Sequence, residues 1–182
     1  MNYQKAVRAF NQGKIVSFPT DTVWGVGCSL EFPQAIERLY QIKGRAKDKP
    51  TAVLAGDIKR AQKLGRFSGK AMEIASQVWP GKVTLIVPAE KIIPKEILGK
   101  KGTVGIRVPN HAWLLSVLKE LSLGIVASSA NLSGQPAPLK KTMLNPRLIS
   151  QVDMIVSQVR GGSSSVSAVI DTTIDPIKIL RK

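Results

Sequence analysis

Hydrophobic and polar positions follow two alternating periods along this chain. Tyr3, Ala6, Val7 and Phe10 recur every three to four residues and stop at Gly13, which predicts an opening helix with one buried face. Residues 15–18 form a short apolar run, read as a strand that empties into the polar stretch PTDTVWGVG. Pro33 opens a second helical stripe through Ile36, Leu39, Tyr40 and Ile42, ended by Gly44, and a basic loop over 43–49 follows. Residues 51–55 read as a buried strand, and 58–79 as two helices closed by Pro80-Gly81. Strands are expected over 82–87 and 103–108. A helix follows through Trp113, Leu114, Val117, Leu118 and Leu121, ending before Gly124. The strand at 125–128 runs into SSANLSGQPAP, and 154–156, 166–170 and 177–180 complete about seven strands against five or six helices.

Strand and helix alternating in this way predict an α/β fold, a sheet with helices on its faces, with antiparallel members left open. The 182 residues, 43% of them hydrophobic, suit one domain spanning 1–182. Cys28 is the only cysteine, which excludes an internal disulfide and a Cys-rich metal site and fits a reducing compartment. No apolar run reaches the ~20 residues that cross a bilayer, and the N-terminal pattern is amphipathic rather than that of a signal peptide. A cytoplasmic protein without membrane contact is expected. Lys and Arg outnumber Asp and Glu by 27 to 12, a formal charge of +15, so polyanions such as RNA or nucleotides are the natural partners. The plainer alternative is a basic surface that serves solubility alone.

Ligands of open α/β sheets bind beyond strand ends, which directs attention to polar loops that follow apolar strands. GRFSGK at 65–70 has three residues between its glycines where a phosphate loop needs four, and GVGCSL at 25–30 lacks the third glycine of a dinucleotide fingerprint. His111, the only histidine, reads as an exposed first-turn residue of a helix, which argues against a hydrolase triad. KGRAKDK sets Lys43, Arg45, Lys47 and Lys49 within seven residues, able to converge on a triphosphate or to form a solvated basic face. SSANLSG offers hydroxyls and an amide to a phosphate, a ribose or metal-bound water, and caps a turn equally well. Arg107 interrupts an otherwise smooth apolar strand, so its guanidinium needs a carboxylate or phosphate partner, a structural ion pair being the alternative. RGGSSS at 160–165 reads as a flexible loop or a lid.

These loops, in this order, resemble the YrdC-type threonylcarbamoyl-AMP synthase family. The resemblance rests on FPTDTVWGVG at 18–27, KGRAKDKP, WPGKVTLI at 79–86, TVGIRVP at 103–109, SSANLSGQP at 128–136 and Arg181. The family's K-x-R followed downstream by S-x-N is met by Lys43, Arg45, Ser129 and Asn131. It implies a twisted, mostly mixed sheet with a basic concave surface, in the short single-domain form of the family. The implied reaction is nucleotidyl transfer: L-threonine, bicarbonate or CO2, and ATP with Mg2+ give threonylcarbamoyl-adenylate and pyrophosphate. A separate tRNA-modification machinery then moves the threonylcarbamoyl group to an adenosine beside the anticodon. By the same resemblance Thr20, Arg107, Ala127 and Ser167 hold L-threonine, with Trp24 as a wall. Arg45, Lys49, Thr103, Ser129, Asn131, Ala137 and Arg181 hold the nucleotide, and Lys43 and Arg45 are the catalytic cations. Two departures stand out: AVID follows Ser167 where longer relatives carry a threonine, and Ala137 replaces an often polar residue. The rival readings are an RNA-binding module without chemistry, contacting tRNA or a ribosomal precursor through the basic face, and a former of another carbamoyl-adenylate.

Overall fold

The computed structural model describes residues 3–46, 49, 51–156, 159, 161, 162 and 165–181. Its helices form where the apolar stripe recurs at helical spacing. Helix α1 (Gln4–Asn11) buries Ala6, Val7, Ala9 and Phe10. Helix α2 (Pro33–Lys43) starts with proline at its first turn and ends at Gly44, whose φ of 56° is the left-handed conformation that glycine adopts without strain. Helices α3 (Ile58–Gln62) and α4 (Gly69–Val78) are capped by the side chains of Asp57 and Ser68, which accept backbone N–H bonds from Arg60 and Ala71. Helix α5 (Ala112–Glu120) is capped by His111, whose Nδ1 accepts from Leu114 N at 3.4 Å. That histidine is therefore a half-buried cap rather than the exposed first-turn residue expected. A short helix α6 (Pro146–Ile149) was not expected from the pattern.

The strands are β1 (Val16–Phe18), β2 (Gly25–Ser29), β3 (Ala52–Leu54), β4 (Val83–Pro88), β5 (Thr103–Arg107), β6 (Ile125–Ser129), β7 (Met154–Ile155), β8 (Ala168–Asp171) and β9 (Lys178–Arg181). They form one mixed sheet of order β7-β1-β2-β6-β3-β5-β4-β8-β9. The pairs β1·β7, β3·β5 and β4·β8 are parallel and the others antiparallel, which settles the question the sequence left open.

Side chains alternate across the sheet. Val16 and Phe18 pack with α1 and α5, as do Leu54 and Ile125. Ile15, Val53 and Val126 face the opposite way, toward α2, α3 and α4. The face that carries α1 and α5 also holds the cavity described below, because the alternate residues Ala52 and Leu54, Thr84 and Ile86, and Thr103, Gly105 and Arg107 all line it.

Strand β2 was read as loop, and its wholly buried place in the sheet is the main correction to the expected architecture. Gly27 lies opposite Ala127 in the ladder with β6, where an added Cβ would stand 2.4 Å from the Val126 carbonyl oxygen and 2.9 Å from Ile125. Gly27→Ala is expected to destabilise the chain by about 1–3 kcal/mol through overpacking. A urea midpoint equal to that of the unchanged protein would contradict this account of the strand.

Candidate active site

A cavity of about 330 Å³ lies on the open half of that sheet face. Eight of the twelve residues expected at a site line it: Thr20, Arg45, Thr103, Arg107, Ala127, Ser129, Ser167 and Arg181. Lys43, Lys49, Asn131 and Ala137 do not. Small residues at Gly25, Ala52, Gly105 and Ala127 are among those that line the space. Three guanidiniums border it and no carboxylate does, among the described residues, so the cavity suits an anionic ligand.

Arg107 is held by three neighbours. Its side chain is 6% exposed; Nε donates to Gly81 O at 2.9 Å, Nη1 donates to Thr22 Oγ1 at 3.0 Å, and Nη2 donates to Asp21 Oδ1. Burial pushes the Arg107 guanidinium below its ordinary value, the Asp21 carboxylate pushes back up, and the Arg181 charge adds to the lowering. Arg181 approaches from β9, where Nε donates to Ser167 O at 2.8 Å and Nη2 to Ser167 Oγ at 3.1 Å. Ser167 Oγ is also hydrogen-bonded to Thr84 Oγ1 at 3.2 Å. Arg107 and Arg181 thus act on one another across a single cavity.

The PTDT turn owes its shape to Thr20. Its Oγ1 donates to Val23 O at 2.7 Å, accepts from Thr22 N at 3.0 Å and lies 2.9 Å from Thr22 Oγ1. Thr20 lines the cavity, yet its hydroxyl is largely committed within the turn. Trp24 is not a cavity wall: it is 3% exposed in the core and donates Nε1–H to Ser17 Oγ at 2.8 Å. Asp21 and Thr22 of this turn are the side-chain partners of Arg107. Thr51 and Thr84 also line the cavity without having been singled out.

A second network lies beneath the SSANLSG turn. Lys43 is 2% exposed, and its Nζ donates to Ser129 O at 2.5 Å and Asn131 O at 2.7 Å. Burial, and next the charge of Arg45, push the Lys43 ammonium down to about 8. Lys43 therefore braces the turn from below instead of reaching freely into the cavity. The stripe that buries Ile36, Leu39 and Tyr40 ends on Lys43, a signal that the basic run obscured. Ser129 Oγ donates to Asn131 Oδ1 at 2.5 Å, and Asn131 Nδ2 donates to Gln135 O at 2.5 Å, so the capping alternative is realised in this turn. Ala137 is half-buried beside Pro138, whose carbonyl accepts from Trp24 N at 2.8 Å. The side chain of Lys49 is exposed, while its carbonyl accepts from Arg45 Nε at 2.9 Å and from the Tyr40 hydroxyl at 3.2 Å. Lys47, and with Arg160, Ser163 and Ser164 much of the expected 160–165 lid, lie outside the described residues.

The described residues contain no group of three or more His, Cys, Asp and Glu that could hold a metal. The cavity offers hydroxyl oxygens from Thr103 and Ser129 instead. Such neutral donors fit a magnesium ion that arrives on phosphate oxygens with much of its water shell.

The Sua5/YciO/YrdC family model, which carries the description "Telomere recombination", matches residues 8–182. A threonylcarbamoyl-AMP synthase of Bacillus subtilis is 34% identical over 180 residues, covering 97% of this chain and 52% of the relative. One of Pseudomonas fluorescens is 31% identical over 169 residues, covering 92% of this chain and 91% of the relative. The crystal structure of Pyrococcus abyssi Sua5 complexed with L-threonine superposes with a TM-score of 0.87 at 29% identity, over 98% of this chain and 53% of that one. The chain thus spans about half the length of the Bacillus and Pyrococcus proteins. With the family model matched from residue 8 onward and the fold shared along almost the whole chain, this protein belongs to the Sua5/YciO/YrdC family.

Proposed function

We propose that the chain is a threonylcarbamoyl-AMP synthase, a nucleotidyltransferase that forms threonylcarbamoyl-adenylate and pyrophosphate from L-threonine, bicarbonate or CO2, and ATP. The observation that carries this reading is the meeting of two cationic networks at one cavity. Arg107 and Arg181 with Ser167 form one, and Arg45 with the Lys43-braced turn forms the other. The names of the relatives and the L-threonine complex of the Pyrococcus protein support it.

In this reading Arg107 receives the L-threonine carboxylate, while Thr20, Ala127 and Ser167 border the amino acid. Arg45, Lys49, Thr103, Ser129, Asn131, Ala137 and Arg181 border the nucleotide. The threonine amine captures CO2 and loses a proton, giving a carbamate. A carbamate oxygen attacks the α-phosphorus, the bond from that phosphorus to the β-phosphate oxygen breaks, and pyrophosphate leaves. Catalysis of this kind relies on alignment and on stabilising negative charge, the tasks that fixed guanidiniums and an ammonium perform. Arg45 stabilises the departing pyrophosphate from the cavity wall, and Lys43 adds charge beneath the turn that carries Ser129 and Asn131. Mg2+ bound to the triphosphate would neutralise part of its charge, and the hydroxyl oxygens of Thr103 and Ser129 would be neutral donors to it. We further assign residues 1–182 to one domain, the product to a separate tRNA-modification machinery in the cytoplasm, and any RNA contact to a basic concave face.

The test is pyrophosphate release from ATP with magnesium, omitting L-threonine or bicarbonate in turn and weighing the nucleotide product. Release that needs both, with a product of threonylcarbamoyl-AMP mass, supports the assignment. Intact ATP in the presence of both, with labelled RNA still bound, overturns it in favour of RNA binding.

A further inference from the structure

We propose that Asp21 is a positioning residue for recognition of the substrate carboxylate, holding Arg107 so that its two uncommitted N–H groups are presented to the cavity. This inference rests on the threonylcarbamoyl-AMP synthase reading and deepens it.

A guanidinium carries five N–H donors. Arg107 gives one to Gly81 O, one to Thr22 Oγ1 and one to Asp21 Oδ1. Among the described residues one N–H then remains on each terminal nitrogen, and a pair of that kind is what a carboxylate takes in a bidentate bond. Asp21 is itself fixed from a second side, because its Oδ2 accepts from Asn110 N at 3.0 Å. Its side chain is only 8% exposed. To leave Arg107 it would have to abandon both partners within a nearly dry setting, so it stays in place when a second carboxylate enters.

Charge leads to the same role. Arg107 and Arg181 border one cavity and repel one another. Asp21 offsets the positive charge of Arg107 and so weakens that repulsion. Without it Arg107 keeps only two neutral acceptors and is pushed away from Arg181, so the fork loses its direction. The opposite role, in which Asp21 competes with substrate for Arg107, predicts the opposite sign: removing the carboxylate would then tighten binding.

The experiment compares the unchanged chain with Asp21→Asn, Arg107→Lys and the double variant. L-threonine binding is read by calorimetry, and KM for L-threonine and for ATP from pyrophosphate release. Asp21→Asn is expected to weaken L-threonine roughly 10- to 100-fold in both Kd and KM, while KM for ATP stays within about twofold. The double variant is expected to lose little beyond Arg107→Lys alone, since Asp21 acts through that guanidinium. Unchanged or tighter L-threonine binding in Asp21→Asn overturns the proposal. So does an equal rise in both KM values, which marks a general structural defect, or full additivity with Arg107→Lys. An unchanged chain that neither binds L-threonine nor releases pyrophosphate overturns the synthase reading and this inference with it. Normal wild-type binding with an indifferent Asp21→Asn overturns the inference alone.

Discussion

Arg107→Ala is expected to abolish L-threonine-dependent pyrophosphate release and to destabilise the chain by about 3–5 kcal/mol, the cost of leaving a buried charge without its partner. The carboxylate left behind is Asp21, 8% exposed, with the backbone N–H of Asn110 as its remaining donor among the described residues. Gly81 O and Thr22 Oγ1 lose their donor in the same step. Urea denaturation and the pyrophosphate assay read the two effects separately. Stability within 1 kcal/mol of the unchanged chain would mean that the pair contributes little to the fold, and retained L-threonine dependence would remove Arg107 from the site.

The second large effect separates the two cations of the K-x-R motif. Arg45 lines the cavity and is partly exposed, so Arg45→Ala is expected to slow the reaction ~100- to 1000-fold, about 2.7–4 kcal/mol of transition-state stabilisation, with little change in melting. Lys43→Met is expected to lose a similar factor in rate and also about 1–3 kcal/mol of stability, because the Ser129 and Asn131 carbonyls lose a charged donor. The pH dependence follows from the depressed Lys43 ammonium. Between about 8 in the folded chain and the ordinary 10.5 the unfolded chain binds more protons, so this group makes stability rise with pH across that window. Over the same window the positive charge under the turn disappears, and KM for ATP is expected to rise as pH passes about 8. Arg45→Ala removes a neighbouring charge that lowers Lys43, so the midpoint should move upward. A profile flat from about pH 7 to 10 in the unchanged chain would show that the Lys43 charge does not act on the nucleotide.

Helices were legible in the sequence because their burial is one-sided: Ala6, Val7 and Phe10, or Leu114, Val117 and Leu118, repeat with the turn of the helix. Strand β2 was not, because a strand buried on both faces has no alternation to read, and its glycines look like loop residues. Gly27 is there for the close approach of β6, and Gly25 for the approach of Phe18 and Thr20, requirements visible only once the strands are paired. Arg107 was conspicuous as a lone charge in an apolar strand. Its partner was hidden, since Asp21 lies 86 positions away and spacing over that distance carries no geometric information. Lys43 was misread in its environment: a basic run hides which of its members continues the buried stripe of the preceding helix.

Strand β9 gives the cavity its least secure guanidinium. It is the last strand in the sheet order, pairs on one side only with β8 across a register shift, and all four of its residues are exposed. Arg181 is one of those four and reaches the cavity through two hydrogen bonds to Ser167. Local opening costs least where few apolar contacts hold the backbone. On heating, therefore, the cavity is set to lose a guanidinium by fraying of this edge while the central strands remain protected against amide exchange, so that inactivation runs ahead of unfolding.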